Sequence, residues 1–102
     1  MKFWDTSAIV PLLVNEPSTG TAKSVLTNDT SVVVWWATRT ECVSALHRQI
    51  RERSLDIEDE RRAREVLHHL AGAWSEVQPG ETLRSTAERL LAVHALRAAD
   101  TL

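Results

Sequence analysis

Several residue types that build specialised folds are scarce in this chain. Of 102 residues only Cys42 is a cysteine, so no disulfide can form within the chain, and the composition fits a reducing cytosol. Three glycines and three prolines are too few for a linker or a low-complexity chain. Gly20, Gly72 and Gly80 cannot be arranged into a P-loop or a dinucleotide-binding fingerprint. No apolar run approaches the roughly 20 residues that span a bilayer. Asp5 interrupts the segment where a secretory signal needs a basic region followed by an apolar stretch. Neither sign of charge dominates: 12 Lys+Arg stand against 14 Asp+Glu, a net charge of −2, which excludes a basic nucleic-acid coat. His47, His68, His69 and His94 have no zinc spacing. What remains is an ordinary globular composition, 43% hydrophobic and 25% charged, sized for one small domain over residues 1–102.

The hydrophobic pattern changes period along the chain. Phe3-Trp4 is a short apolar start ending at Asp5. Residues 7–14 read as a short helix in which Pro11 is tolerable near the first turn, and Asn15-Glu16-Pro17-Ser18 stops it. Ala22, Val25 and Leu26 give a second helix its apolar face. Residues 31–37, Ser-Val-Val-Val-Trp-Trp-Ala, form a run without alternation, as expected of a strand covered on both faces in a parallel sheet. A helix follows with Cys42, Val43, Leu46 and Ile50 on one side, then another over 57–71 with Ala63, Val66, Leu67 and Leu70 at helical spacing. Trp74 to Val77 reads as a third strand closed by Pro79-Gly80, and Leu83, Ala87, Leu90 and Leu91 mark a further helix. Alternating strands and helices predict an α/β layer fold. Residues 95–102 read as a helix that has just begun, with no stop signal, which predicts a domain cut short at its C-terminus.

Ligands in open parallel sheets gather beyond the carboxyl ends of the strands. Asp5 ends the first strand, Glu41 lies in the first turn after the second, and Asp100 opens the final helix. Three carboxylates meeting there would be costly without a cation, and hard oxygen donors suit Mg²⁺ or Mn²⁺. Such an ion favours phosphate chemistry, because it activates water and neutralises a phosphodiester. Each acid also has a plain structural reading. Asp5 suits a helix N-cap, Thr38-x-x-Glu41 has the form of a capping box, and Asp100 suits an early helical turn.

Phe3-Trp4-Asp5-Thr6-Ser7-Ala8-Ile9-Val10 resembles the opening of a PIN domain, especially that of VapC-type toxin ribonucleases. Asn15-Glu16-Pro17-Ser18, Thr38-Arg39-Thr40-Glu41-Cys42-Val43-Ser44-Ala45-Leu46 and Leu96-Arg97-Ala98-Ala99-Asp100-Thr101-Leu102 are similar to that family's later segments, in its order and approximate spacing. The resemblance implies a three-layer α/β sandwich around a central parallel sheet of order 3-2-1-4-5, here missing its last strands and helix. It implies a metal-dependent endoribonuclease, the toxin of a type II toxin–antitoxin pair in the cytoplasm, with a cognate antitoxin as partner and a homodimer as assembly. Asp5, Glu41 and Asp100 would be the catalytic acids that hold Mg²⁺ or Mn²⁺, with Thr6 and Ser7 adding hydroxyls near the ion or its water. A competing expectation is a catalytically incomplete PIN fragment that acts as an antitoxin-binding module. An Asp-nucleophile phosphatase fits less well, because such enzymes place a second Asp where Ser7 stands.

Other residues have plainer readings. Arg48, Arg51, Arg53, Arg61, Arg62 and Arg64 are interleaved with Glu52, Asp56, Glu58, Asp59, Glu60 and Glu65, which predicts a solvated, mixed-charge surface rather than an RNA-binding strip. Trp4, Trp35, Trp36 and Trp74 are expected in strands and hence in the core, with Trp35 and Trp36 on opposite faces. Cys42 is expected to be a small core residue.

Overall fold

A computed structural model describes residues 1–80, which form β1 (Lys2–Phe3), α1 (Thr6–Leu13), α2 (Thr19–Asn28), β2 (Val32–Trp35), α3 (Thr38–Arg51), α4 (Ile57–Ala73) and β3 (Ser75–Val77). The helix expected around Leu83–Leu91 and the segment bearing Asp100 lie outside the described residues.

The described strands make one parallel sheet of order β1-β2-β3. Lys2 pairs with Val32 and Phe3 with Val33; on the other side Val33 pairs with Ser75, Val34 with Glu76 and Trp35 with Val77. Trp4 N–H extends the first ladder to the Val33 carbonyl at 2.8 Å, and Trp36 N–H extends the second to Val77 at 3.0 Å. Both crossovers step the same way across the sheet, so the right-handed rule puts their helices on one face. Accordingly α1 packs against α2, α3 and α4. The described residues are therefore an α/β arrangement of one parallel sheet and one helical layer, and a second layer on the opposite face is not present among them.

The core sits between these layers. Trp4, Val32, Val34 and Trp74 from the sheet side meet Ile9, Val10, Leu13, Ala22, Cys42, Ala45, Leu46, Ala63 and Leu67 from the helices. Val33 is equally buried but belongs to the opposite pleat, outside that cluster. The unbroken valine run thus has the burial expected of a central parallel strand. Val66, expected on the inner face of α4, is instead exposed.

Local chemistry sets the helix ends. Asp5, in extended conformation, caps α1 by accepting from Ala8 N–H at 3.0 Å. Pro11 is the sixth residue of α1, deeper than the first turn, and is buried in the core. The missing Pro11 N–H leaves the Ser7 carbonyl without its helical partner, and the helix ends two residues later at Leu13, where Val14 turns to extended conformation. Thr19 ties the end of α1 to the start of α2: its hydroxyl lies 2.8 Å from the Pro11 carbonyl and 3.1 Å from that of Val14, and accepts from Glu16 N–H at 2.8 Å. At the end of α3 Arg53 adopts φ of 59°, and Ser54 N–H reaches back to Gln49 at 2.9 Å, closing the helix with a left-handed residue where glycine is usual. Asp56 caps α4, and Glu58, Asp59 and Glu60 place negative charge at its positive dipole end. Among the described residues no helix is long and apolar enough to cross a membrane.

Candidate active site

Asp5 lies two residues past β1, just after Trp4 whose N–H extends the ladder, and Trp35 is the last residue of β2, so both stand at the carboxyl edge of the parallel sheet. Asp5 is partly buried, and its Oδ1 accepts from the Ser7 hydroxyl at 2.7 Å as well as from Ala8 N–H. The N-cap reading of Asp5 is therefore correct, and it occupies only one carboxylate oxygen. Oδ2 makes no hydrogen bond among the described residues.

Glu41 corrects the capping-box expectation. The N-cap of α3 is Ala37, which makes no side-chain cap. Thr38 is already the first helical residue; its hydroxyl is fully buried and has no hydrogen-bond partner among the described residues. With the helix starting one residue earlier than a Thr38 cap requires, Glu41 falls a position too late to close the box. Its carboxylate turns outward and across the fold. Oε1 accepts from the Thr6 hydroxyl at 2.5 Å, over 35 residues of sequence, and from the Trp35 indole N–H at 3.1 Å. Oε2 is left without a hydrogen bond among the described residues. One hydroxyl thus links Glu41 to the residue next to Asp5, bringing two of the three expected acids to one edge.

Below that edge an open groove of about 570 Å³ follows the seam between α1 and α3. Thr6 and Ser7 line one wall, Glu41, Ser44 and Arg48 the other, and Glu16 and Gln49 lie at the far end. Gln49 donates to Glu16 there at 3.4 Å. Cys42, next to Glu41 in sequence, faces the other way into the core; burial pushes its thiol up to about 12, and the Glu41 charge adds to the rise. That cysteine is a core residue and not a nucleophile.

Asp100 lies outside the described residues. Among the described residues no three His, Cys, Asp or Glu side chains gather to hold a metal ion. No protein-family model matches the chain, and no curated protein matches it.

Two features of the site escaped the sequence reading. The first is the Trp35 indole on Glu41. Trp36 lies beyond the end of β2, so it is free of strand alternation and is exposed. The two rings meet edge to face with centroids 5.7 Å apart, contrary to the opposed placement expected of consecutive strand residues. The second is Arg48, which the sequence groups with a mixed-charge strip. Glu41, Ser44 and Arg48 stand at i, i+3 and i+7, a spacing that places all three on one face of a helix.

Proposed function

We propose that this chain is a metal-dependent endoribonuclease of PIN type, the toxin of a toxin–antitoxin pair that cuts RNA phosphodiester bonds. The observation that carries this reading is the path of Glu41: it forgoes its own helix's cap and joins Thr6 beside Asp5, beyond the carboxyl ends of two parallel strands. The donor set fits Mg²⁺ or Mn²⁺. Asp5 and Glu41 supply hard oxygen ligands, each with one oxygen fixed by the protein and the other uncommitted among the described residues. Asp100 is the third acid that the resemblance implies.

The bound ion would neutralise charge on the scissile phosphate and make its water more acidic. The chain's own residues prepare the site for it. Ser7 and Ala8 N–H hold Asp5 in place, and Thr6 and the Trp35 indole fix Glu41. These partners restrict both carboxylates before substrate arrives, as hydrogen-bonded outer partners do at metal centres. The groove beside them leaves room for a strand. The cognate antitoxin and a homodimer follow from the same family likeness.

The test is incubation of end-labelled RNA with the purified chain in Mg²⁺ or Mn²⁺, with EDTA as control. Metal-dependent cutting is the expected result. A folded protein that leaves RNA intact in both metals contradicts the reading and favours a binding module.

A further inference from the structure

Given the nuclease reading above, we infer that Arg48 grips a backbone phosphate of the RNA on one side of the cut, which makes the α1–α3 groove the path of a single strand.

Arg48, Arg51 and Arg53 form no ion pair among the described residues, unlike the arginines of α4, and of these three only Arg48 lines the groove. Arg61, Arg62 and Arg64 each pair with a carboxylate on their own helix, whereas Arg48 has no carboxylate within 4.0 Å among the described residues. It lines the same groove as Thr6, Ser7 and Glu41. Glu16, the other carboxylate of the groove, takes its hydrogen bond from Gln49 instead. Arg48 is thus an exposed side chain lining an open groove, with no hydrogen bond or ion pair spent on a described residue.

Spacing sets its role. Seven residues of α-helix separate Glu41 from Arg48, about 10.5 Å along the axis. Arg48 therefore does not share the phosphate at Glu41; it meets one further along the strand. Ser44, between them on the same helical face, offers a hydroxyl to the intervening backbone. Among the described residues the groove otherwise carries only carboxylates as charges, Glu16 and Glu41, so Arg48 is the described cation that decides where a polyanion can lie. A planar guanidinium suits phosphate oxygens, which it can bind through two N–H groups at once. Its position near the negative end of α3 also favours a cation, and that effect holds for any basic residue there. Only the groove singles out this one.

The experiment is fluorescence anisotropy of a short dye-labelled single-stranded RNA over a series of KCl concentrations with Mg²⁺ present. The protein carries Asp5→Asn so that the RNA stays whole, with and without Arg48→Gln or Arg48→Lys. Arg48→Gln should weaken binding roughly tenfold at low salt, the size of one charge-assisted contact. It should also flatten the slope of log affinity against log salt by about 0.7, the share of a single phosphate contact on single strands. Arg48→Lys should keep the slope, and Arg61→Gln should leave both quantities unchanged. In the otherwise wild-type chain, Arg48→Gln should raise KM with kcat little changed. A chain that cuts RNA but whose salt slope is indifferent to Arg48→Gln overturns the role of Arg48 while the nuclease stands. A folded chain that neither cuts nor binds RNA overturns both.

Discussion

On α4, Arg61, Arg62 and Arg64 meet Glu65, Asp59 and Glu60 at 2.9, 2.7 and 3.2 Å, all three or four residues away on the same helix. On α3, Glu41 ignores its own helix and joins Thr6 and Trp35 from two other parts of the fold. Both helices carry exposed carboxylates, but the wiring differs. Local pairs at helical spacing contribute little and describe a surface in contact with water. A carboxylate held by donors from distant segments is oriented, and orientation is what a reaction centre requires. The two N-caps make the same contrast in smaller form. Asp5 and Asp56 have nearly identical backbone angles, φ −89°, ψ 174° and φ −88°, ψ 172°, and each accepts from the N–H three residues on. Only Asp5 stands at the carboxyl edge of the sheet beside a second acid.

The contrast can be broken first at the two glutamates. Glu41→Gln should reduce RNA cleavage to background, whereas Glu65→Gln on α4 should leave it at the wild-type rate; equal effects would erase the distinction. Thr6→Val removes the hydroxyl that holds Glu41 and should lower the cleavage rate roughly 10- to 100-fold, in the range of an outer-sphere partner at a metal centre. A higher metal requirement in the same titration would trace the loss to the ion. Asp56→Ala should cost about 1 kcal/mol of stability by urea denaturation, the usual worth of an N-cap, and leave the cleavage rate of the folded protein unchanged.

The smallest effect concerns Cys42, which shares the first turns of α3 with Glu41 but faces inward. Its folded pKa stands near 12 against an ordinary 9.0. Between these values the unfolded chain loses the thiol proton and the folded chain keeps it, so the native state binds more protons. The contribution of Cys42 to stability is therefore complete below pH 9.0 and declines as pH rises toward 12. Urea midpoints measured across that window should fall less in Cys42→Ala than in wild type. At neutral pH a maleimide should label Cys42 only as the protein unfolds.

Much of this arrangement is legible in the sequence where one local rule acts alone. The valine run marks β2 because burial on both faces removes alternation, and Asp5 marks the passage from β1 to α1, two residues past the strand, because an acid after an apolar start suits a helix cap. The pattern of Thr38 and Glu41 misleads because two rules compete. A capping box needs Thr38 outside the helix, but the apolar face of Cys42, Ala45 and Leu46 is buried with Thr38 already helical, and tertiary packing prevails over the local hydrogen bond. Trp36 misleads for a related reason: β2 stops at Trp35, and a single residue of difference releases the next side chain from the pleat. The bond from Thr6 to Glu41 has no signature in either segment by itself, since it depends on the parallel pairing of β1 with β2.

The claim at the centre of this account is that Asp5 is more than a cap. Asparagine caps a helix as well as aspartate does, so Asp5→Asn separates the two roles in one protein. End-labelled RNA with Mg²⁺, incubated with wild type and with Asp5→Asn of matched thermal stability, should be cut by the first and left whole by the second. Equal cutting by both would reduce Asp5 to its structural role and contradict the assignment of the site.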